Sequence, residues 1–270
     1  MKKIFAYPYL TYLAFSFLLM GVVWKLGFIN LNNDTPSAPP EEITSISDVP
    51  SEDLVLPAEE TKDIAETISA PEFFTADRSY FEDALFIGDS RTVGLYEYGN
   101  LGNAIALADS GMSVYKVFKQ SFTLSSGEQT TLTDLLSQKQ FGKIYIMLGI
   151  NELGYDFEQT VKRYQDMIRI IEEAQPDAII FLQANLHITG KKSDTSPIYN
   201  NQNINRFNAE VEKMTDNAKR FYLDVNTLFD DENGNLSTEY TVDESHVLGK
   251  YYADWVDWIL TYAISTTPET

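Results

Sequence analysis

Five short segments constrain this chain more than any other feature. Residues 84–87, 105–107, 144–148, 178–184 and 221–225 are runs in which apolar residues follow one another instead of alternating with polar ones. Strands of that kind are covered on both faces, the condition of a parallel sheet packed between helices. Between the runs the apolar period lengthens. Phe157, Val161, Tyr164, Ile168 and Ile171 recur at steps of four and three, which predicts a helix over 156–174 with one face on the sheet. Ile204, Phe207, Val211 and Met214 predict a second over 201–216, and Tyr251, Trp255 and Trp258 line a last helix reaching about residue 263. Such alternation gives a doubly wound α/β unit. The expected fold is a flavodoxin-like three-layer sandwich with a central parallel sheet of about five strands, spanning 71–264 and followed by a 265–270 tail. The sequence shows no internal repeat.

The N-terminal part has a different character. Ile4 to Trp24 carries no charge, with Lys2 and Lys3 before it and Lys25 after it. As a helix those residues would be roughly 31 Å long, the thickness of a bilayer's hydrocarbon core. The flanking lysines keep the N-terminus in the cytoplasm and export the rest. Residues 1–30 therefore read as an uncleaved signal anchor. A cleaved signal peptide is the alternative, although the stretch lacks an Ala-x-Ala site. Residues 31–70 hold five of the ten Pro, ten acids against one Lys, and no aromatic. A segment so poor in apolar surface cannot offset its ordering entropy, so it reads as an extended linker. These features place the protein in the cell membrane as a single-pass chain with its C-terminal domain outside the cytoplasm, or secreted if the signal is cleaved.

Composition removes several classes of function. A formal charge of −20 argues against nucleic acid as a partner, because phosphates require Lys and Arg to displace their counterions. The absence of Cys excludes a thiol nucleophile, a thiolate-ligated metal and a disulfide scaffold. Only His187 and His246 are available for imidazole chemistry.

In a sheet of this type, chemistry sits in the loops beyond the carboxyl ends of the strands. The first strand runs into Gly88-Asp89-Ser90-Arg91-Thr92, the third into Gly149-Ile150-Asn151-Glu152. Asp243-Glu244-Ser245-His246 lies between the fifth strand and the last helix. Each alone has an ordinary reading: Ser90 as a helix cap, Asn151 as a turn residue, Asp243 and His246 as a surface pair. Together they place a hydroxyl, a carboxamide and an imidazole with a nearby carboxylate at one sheet edge. That set suits acyl transfer.

Over residues 80–263 the chain resembles the SGNH (GDSL-type) hydrolases. The resemblance rests on Gly88-Asp89-Ser90, then Gly111 within Ala108-Asp109-Ser110-Gly111-Met112-Ser113, then Gly149-Ile150-Asn151, and a terminal Asp243-x-x-His246, in the family's order. It implies that Ser90 is the nucleophile, His246 its base and Asp243 the group that orients the imidazole. It also implies an oxyanion hole made by the amides of Ser90 and Gly111 and the side chain of Asn151. Two residues depart from the family pattern: Arg91 stands where Leu is usual, and Glu152 where Asp is commoner. The chain has no Gly-x-Ser-x-Gly elbow of an α/β-hydrolase and too few His for a usual zinc set. No cofactor and no metal are expected.

Other residues carry weaker signals. His187 sits at the active edge as a substrate contact or a plain loop histidine; Arg91 can meet an anionic substrate or pair with Asp89. The Tyr251, Tyr252, Trp255 and Trp258 group fits core packing better than a carbohydrate platform. Residues 230–235 read as a turn, and Lys191-Lys192 as a solvated step. The expected function is hydrolysis of acyl esters, O-acetyl above all, on small molecules or envelope glycans. An O-acyltransferase using the same acyl-enzyme and a non-catalytic envelope binding module are the alternatives.

Overall fold

The computed structural model describes residues 71–265. The expected signal anchor, the linker and nearly all of the C-terminal tail lie outside the described residues. Among the described residues no helix is long and apolar enough to cross a membrane. In chain order the elements are β1 (Ala84–Gly88), α1 (Ser90–Tyr98), β2 (Ile105–Ala108), β3 (Ser121–Thr123), β4 (Gln129–Thr131), α2 (Leu132–Gln138) and β5 (Lys143–Met147). Then come α3 (Phe157–Ala174), β6 (Ile179–Gln183), α4 (Gly190–Thr195), α5 (Asn201–Glu212), β7 (Arg220–Leu223), α6 (Asn226–Phe229) and α7 (Tyr252–Leu260).

Five strands form one sheet in the order β2-β1-β5-β6-β7, with every neighbouring pair parallel. Counting only these strands, the order is 2-1-3-4-5, the flavodoxin-like arrangement. It reverses the direction of growth between β1 and β5, which opens a crevice at their carboxyl ends. The sheet is buried on both faces, as the continuous apolar runs require. Leu85, Ile87, Ile144, Ile146, Ile180 and Leu182 pack against α2, α3 and α5 through Leu135, Tyr164, Ile168, Ile171, Phe207 and Val211. The intervening residues Phe86, Tyr145, Met147, Phe181 and Leu223 face α1 and α7 through Leu95, Tyr252, Trp255, Val256 and Ile259. On that second face the register puts Phe86, Tyr145 and Phe181 side by side, and their rings stack at 4.5 Å and 4.6 Å across three strands. Trp255 is fully buried and Tyr252 nearly so, in keeping with core packing rather than a carbohydrate platform.

Small departures from the expected boundaries have local causes. The third sheet strand begins at Lys143, whose buried side chain reaches the exposed Asp83 carboxylate and the face of the Tyr80 ring. The last helix stops at Leu260, and Ala263 instead pairs with Phe74 in a short antiparallel bridge. The antiparallel β3–β4 hairpin was not evident from the sequence.

Candidate active site

Ser90 opens α1 directly after β1. The preceding Asp89, fully buried, is the cap: its Oδ1 accepts the Arg91 amide at 2.9 Å. Because Asp89 takes the capping role, the Ser90 side chain is left for other work. The Ser90 amide lies in the first turn, where no intrahelical carbonyl reaches it and the helix dipole favours an anion.

Ser90 Oγ lies 2.8 Å from His246 Nε2. On the other side of the ring, His246 Nδ1 lies 2.7 Å from Asp243 Oδ2. Asp243 is held in turn by its own loop, Oδ1 accepting the amides of Ser245 at 2.9 Å and His246 at 2.8 Å and the Thr241 hydroxyl at 3.1 Å. Partial burial opposes the Asp243 charge, but the His246 and Ser245 hydrogen bonds outweigh it and hold the carboxyl far below the usual range. Glu244, between them, has φ +67° and points away to an exposed pair with Lys191 at 2.7 Å.

Two further loops follow the strands that flank β1. After β2, a turn closed by Met112 N–H to the Asp109 carbonyl at 3.1 Å places Gly111 at φ +73°. A Cβ there would meet nothing within 4 Å, so the backbone conformation, not crowding, calls for glycine. After β5, Gly149 has φ +121°, and a Cβ on it would fall 2.1 Å from the Phe207 ring. The Asn151 side chain reaches across to the Gly111 loop and donates to the Met112 carbonyl at 2.9 Å. The Asn151 side chain is thereby tied to the loop that carries Gly111.

A family model described as the GDSL-like lipase/acylhydrolase family matches residues 86–250. The chain belongs to that family. Among solved structures, a GDSL-like lipase from Bacteroides thetaiotaomicron aligns with a TM-score of 0.51 at 16% identity, covering 68% of this chain and 88% of that one. An acetyl xylan esterase aligns with a TM-score of 0.52 at 16% identity, over 67% of this chain and 99% of that one. A Streptococcus pneumoniae protein described as a platelet activating factor gives 0.53 at 16% identity, over 68% and 90%. At such identities these likenesses establish the fold. Among curated proteins none matches the chain.

Two of the weaker candidates are buried and held by other side chains. Arg91 is buried, with Nη1 3.5 Å from Asp89 Oδ2, and is not offered to a substrate. His187 is buried too, with Nδ1 2.8 Å from Asp230 and Nε2 2.7 Å from Asn205. Burial opposes a charge there, but both partners outweigh it and raise the pKa. His187 thus joins the β6 edge to α5 and α6 as a structural group.

Sequence reasoning missed what supports these loops. Asn185 Oδ1 accepts the Ile150 amide at 3.1 Å and its Nδ2 donates to the Leu148 carbonyl at 3.1 Å, fixing the turn that presents Asn151. Asn208 holds the Asn185 backbone by both its amide and its carbonyl, and Asn226 and Asn201 do similar work for His187 and Ile188. Glu152 is buried and accepts the Val114 amide at 2.6 Å. The one available signal was the run of Asn residues near the fourth strand and following helix.

Proposed function

We propose that this acylhydrolase cleaves acyl esters, O-acetyl groups in particular, with Ser90 as nucleophile, His246 as general base and Asp243 as the orienting carboxylate. The observation that carries the reading is the unbroken line from Ser90 Oγ through the His246 ring to Asp243, with hydrogen-bond contacts of 2.8 Å and 2.7 Å. In the first half-reaction Oγ bonds to the acyl carbon as its proton passes to His246 Nε2. Charge gathers on the carbonyl oxygen, facing the amides of Ser90 and Gly111 and the Asn151 side chain. His246 returns the proton to the departing alkoxide, which leaves as an alcohol. Water, deprotonated by the same imidazole, then attacks the acyl-serine and releases the acid. Each oxyanion donor is typically worth about 3–4 kcal/mol of barrier.

An acetylated carbohydrate is the substrate class we favour. It is supported by the fold shared with an acetyl xylan esterase and by the apolar 4–24 stretch with its lysine flanks, which fits a tethered enzyme facing the envelope. Turnover of p-nitrophenyl acetate tests the reading. Ser90→Ala is expected to abolish it with the thermal midpoint within a few degrees of wild type, since a half-buried hydroxyl adds little packing. Comparable activity in the variant would remove Ser90 from the mechanism. A glycan added as acceptor separates hydrolysis from acyl transfer: transfer would give an acetylated glycan in place of acetate.

A further inference from the structure

Glu152 is a carboxyl group where a carboxyl is costly. It is 2% exposed, and among the described residues no salt bridge reaches it. Burial pushes its pKa up to about 7. Such a group persists in a core when it satisfies something that would otherwise be left unpaired. Here that partner is the backbone amide of Val114, donating to Oε1 at 2.6 Å.

Val114 belongs to the loop that carries Gly111. That loop follows the short strand β2 and has no regular structure at Gly111, where nothing packs beside the Cα, while the Met112 and Val114 side chains beyond it are buried in the core. Polar ties then fix the backbone between these anchors. Asn151 grips the loop at the Met112 carbonyl and Glu152, the next residue, grips it at the Val114 amide. The two neighbouring side chains thus clamp the loop one and three residues beyond Gly111, from the same 3-10 turn, Ile150–Glu152.

Resting on the reading of Ser90 as nucleophile, we propose that Glu152 is the positioning residue of the oxyanion loop. Its carboxyl fixes the Val114 amide, and thereby aims the Gly111 amide at the oxygen that becomes charged. What the site needs at position 152 is an acceptor oxygen of Glu length. Loss of that acceptor weakens stabilisation of the transition state and leaves ground-state binding nearly untouched.

The test is steady-state hydrolysis of p-nitrophenyl acetate by the full chain. Glu152→Met fills the same volume with no acceptor, and is expected to lower kcat about 10- to 100-fold with KM within about twofold. Glu152→Gln keeps an oxygen in place and is expected to stay within about threefold of wild type in both constants. A Met variant as fast as wild type would overturn the proposal, and so would a Gln variant that loses kcat tenfold, because charge rather than the acceptor would then matter. If Glu152→Met does not fold by circular dichroism, Glu152→Ala removes the same acceptor and carries the same expectation. Ser90→Ala in the same assay keeps the two ideas apart: an active Ser90→Ala defeats the nucleophile assignment, whereas an inactive one beside a fully active Glu152→Met defeats only the role of Glu152.

Discussion

At Asp243 a single carboxylate does two jobs, closing the 243–246 turn with Oδ1 and meeting the His246 ring with Oδ2. Replacing it with Asn puts an N–H donor where Nδ1–H of the ring needs an acceptor, or else gives up the turn. Asp243→Asn is therefore expected to lower turnover at least about tenfold with little change in KM. Glu244→Gln alters only an exposed pair with Lys191 and is expected to stay within about twofold. His246→Ala should be worse than either. The reverse ranking of the two acids would mean that Glu244, not Asp243, serves the imidazole.

Glu152 gives a pH signature at the same scale. Its folded pKa, about 7, lies above the ordinary carboxyl value, so folding favours the protonated form. Stability from this site is present at low pH and is lost as pH rises from about 4.5 to about 7. Asp89 raises this pKa and Lys116 lowers it, while the buried Tyr164 hydroxyl senses the Glu152 charge. Glu152→Gln does not titrate, so its thermal midpoint relative to wild type is expected to climb between pH 5 and pH 8. A difference that stays flat over that range would show that Glu152 is not perturbed as described.

Among the elements, the strands were legible because burial on both faces leaves continuous apolar runs, and α3 and α5 because one face meets the sheet. The β3–β4 hairpin was not, since strands such as Ser121–Thr123 are short and mostly exposed, with only Phe122 turned inward. The hydrogen-bonded Ser90, His246 and Asp243 side chains were legible as neighbours for a topological reason: each sits just beyond a strand end or before the last helix. The asparagines that support them were not, because the backbone groups they satisfy become unpaired only once the chain leaves the sheet at residues 184–188. Asn208→Leu tests their weight. It leaves the amide of Asn185 without its partner and its carbonyl with the Asn226 side chain alone, and is expected to cost about 1–3 kcal/mol in denaturant unfolding. It should also slow turnover, because Asn185 fixes the turn before Asn151. Unfolding indistinguishable from wild type would show that water replaces the Asn208 side chain at no cost.

For the whole molecule, the reading of 31–70 as a linker makes a simple demand. A chain beginning at Pro71 is expected to be soluble and fully active, because the acidic, Pro-rich stretch before it has no aromatic residue and only scattered aliphatic ones. Aggregation or loss of folding on that truncation would make the stretch part of the domain. The central claim, that Ser90 is an activated nucleophile, is tested most directly by treating the folded protein with a fluorophosphonate and locating the adduct by mass spectrometry. The account predicts one modification, on Ser90, lost in His246→Ala. A folded protein that stays unlabelled, or one labelled at another serine, would contradict it.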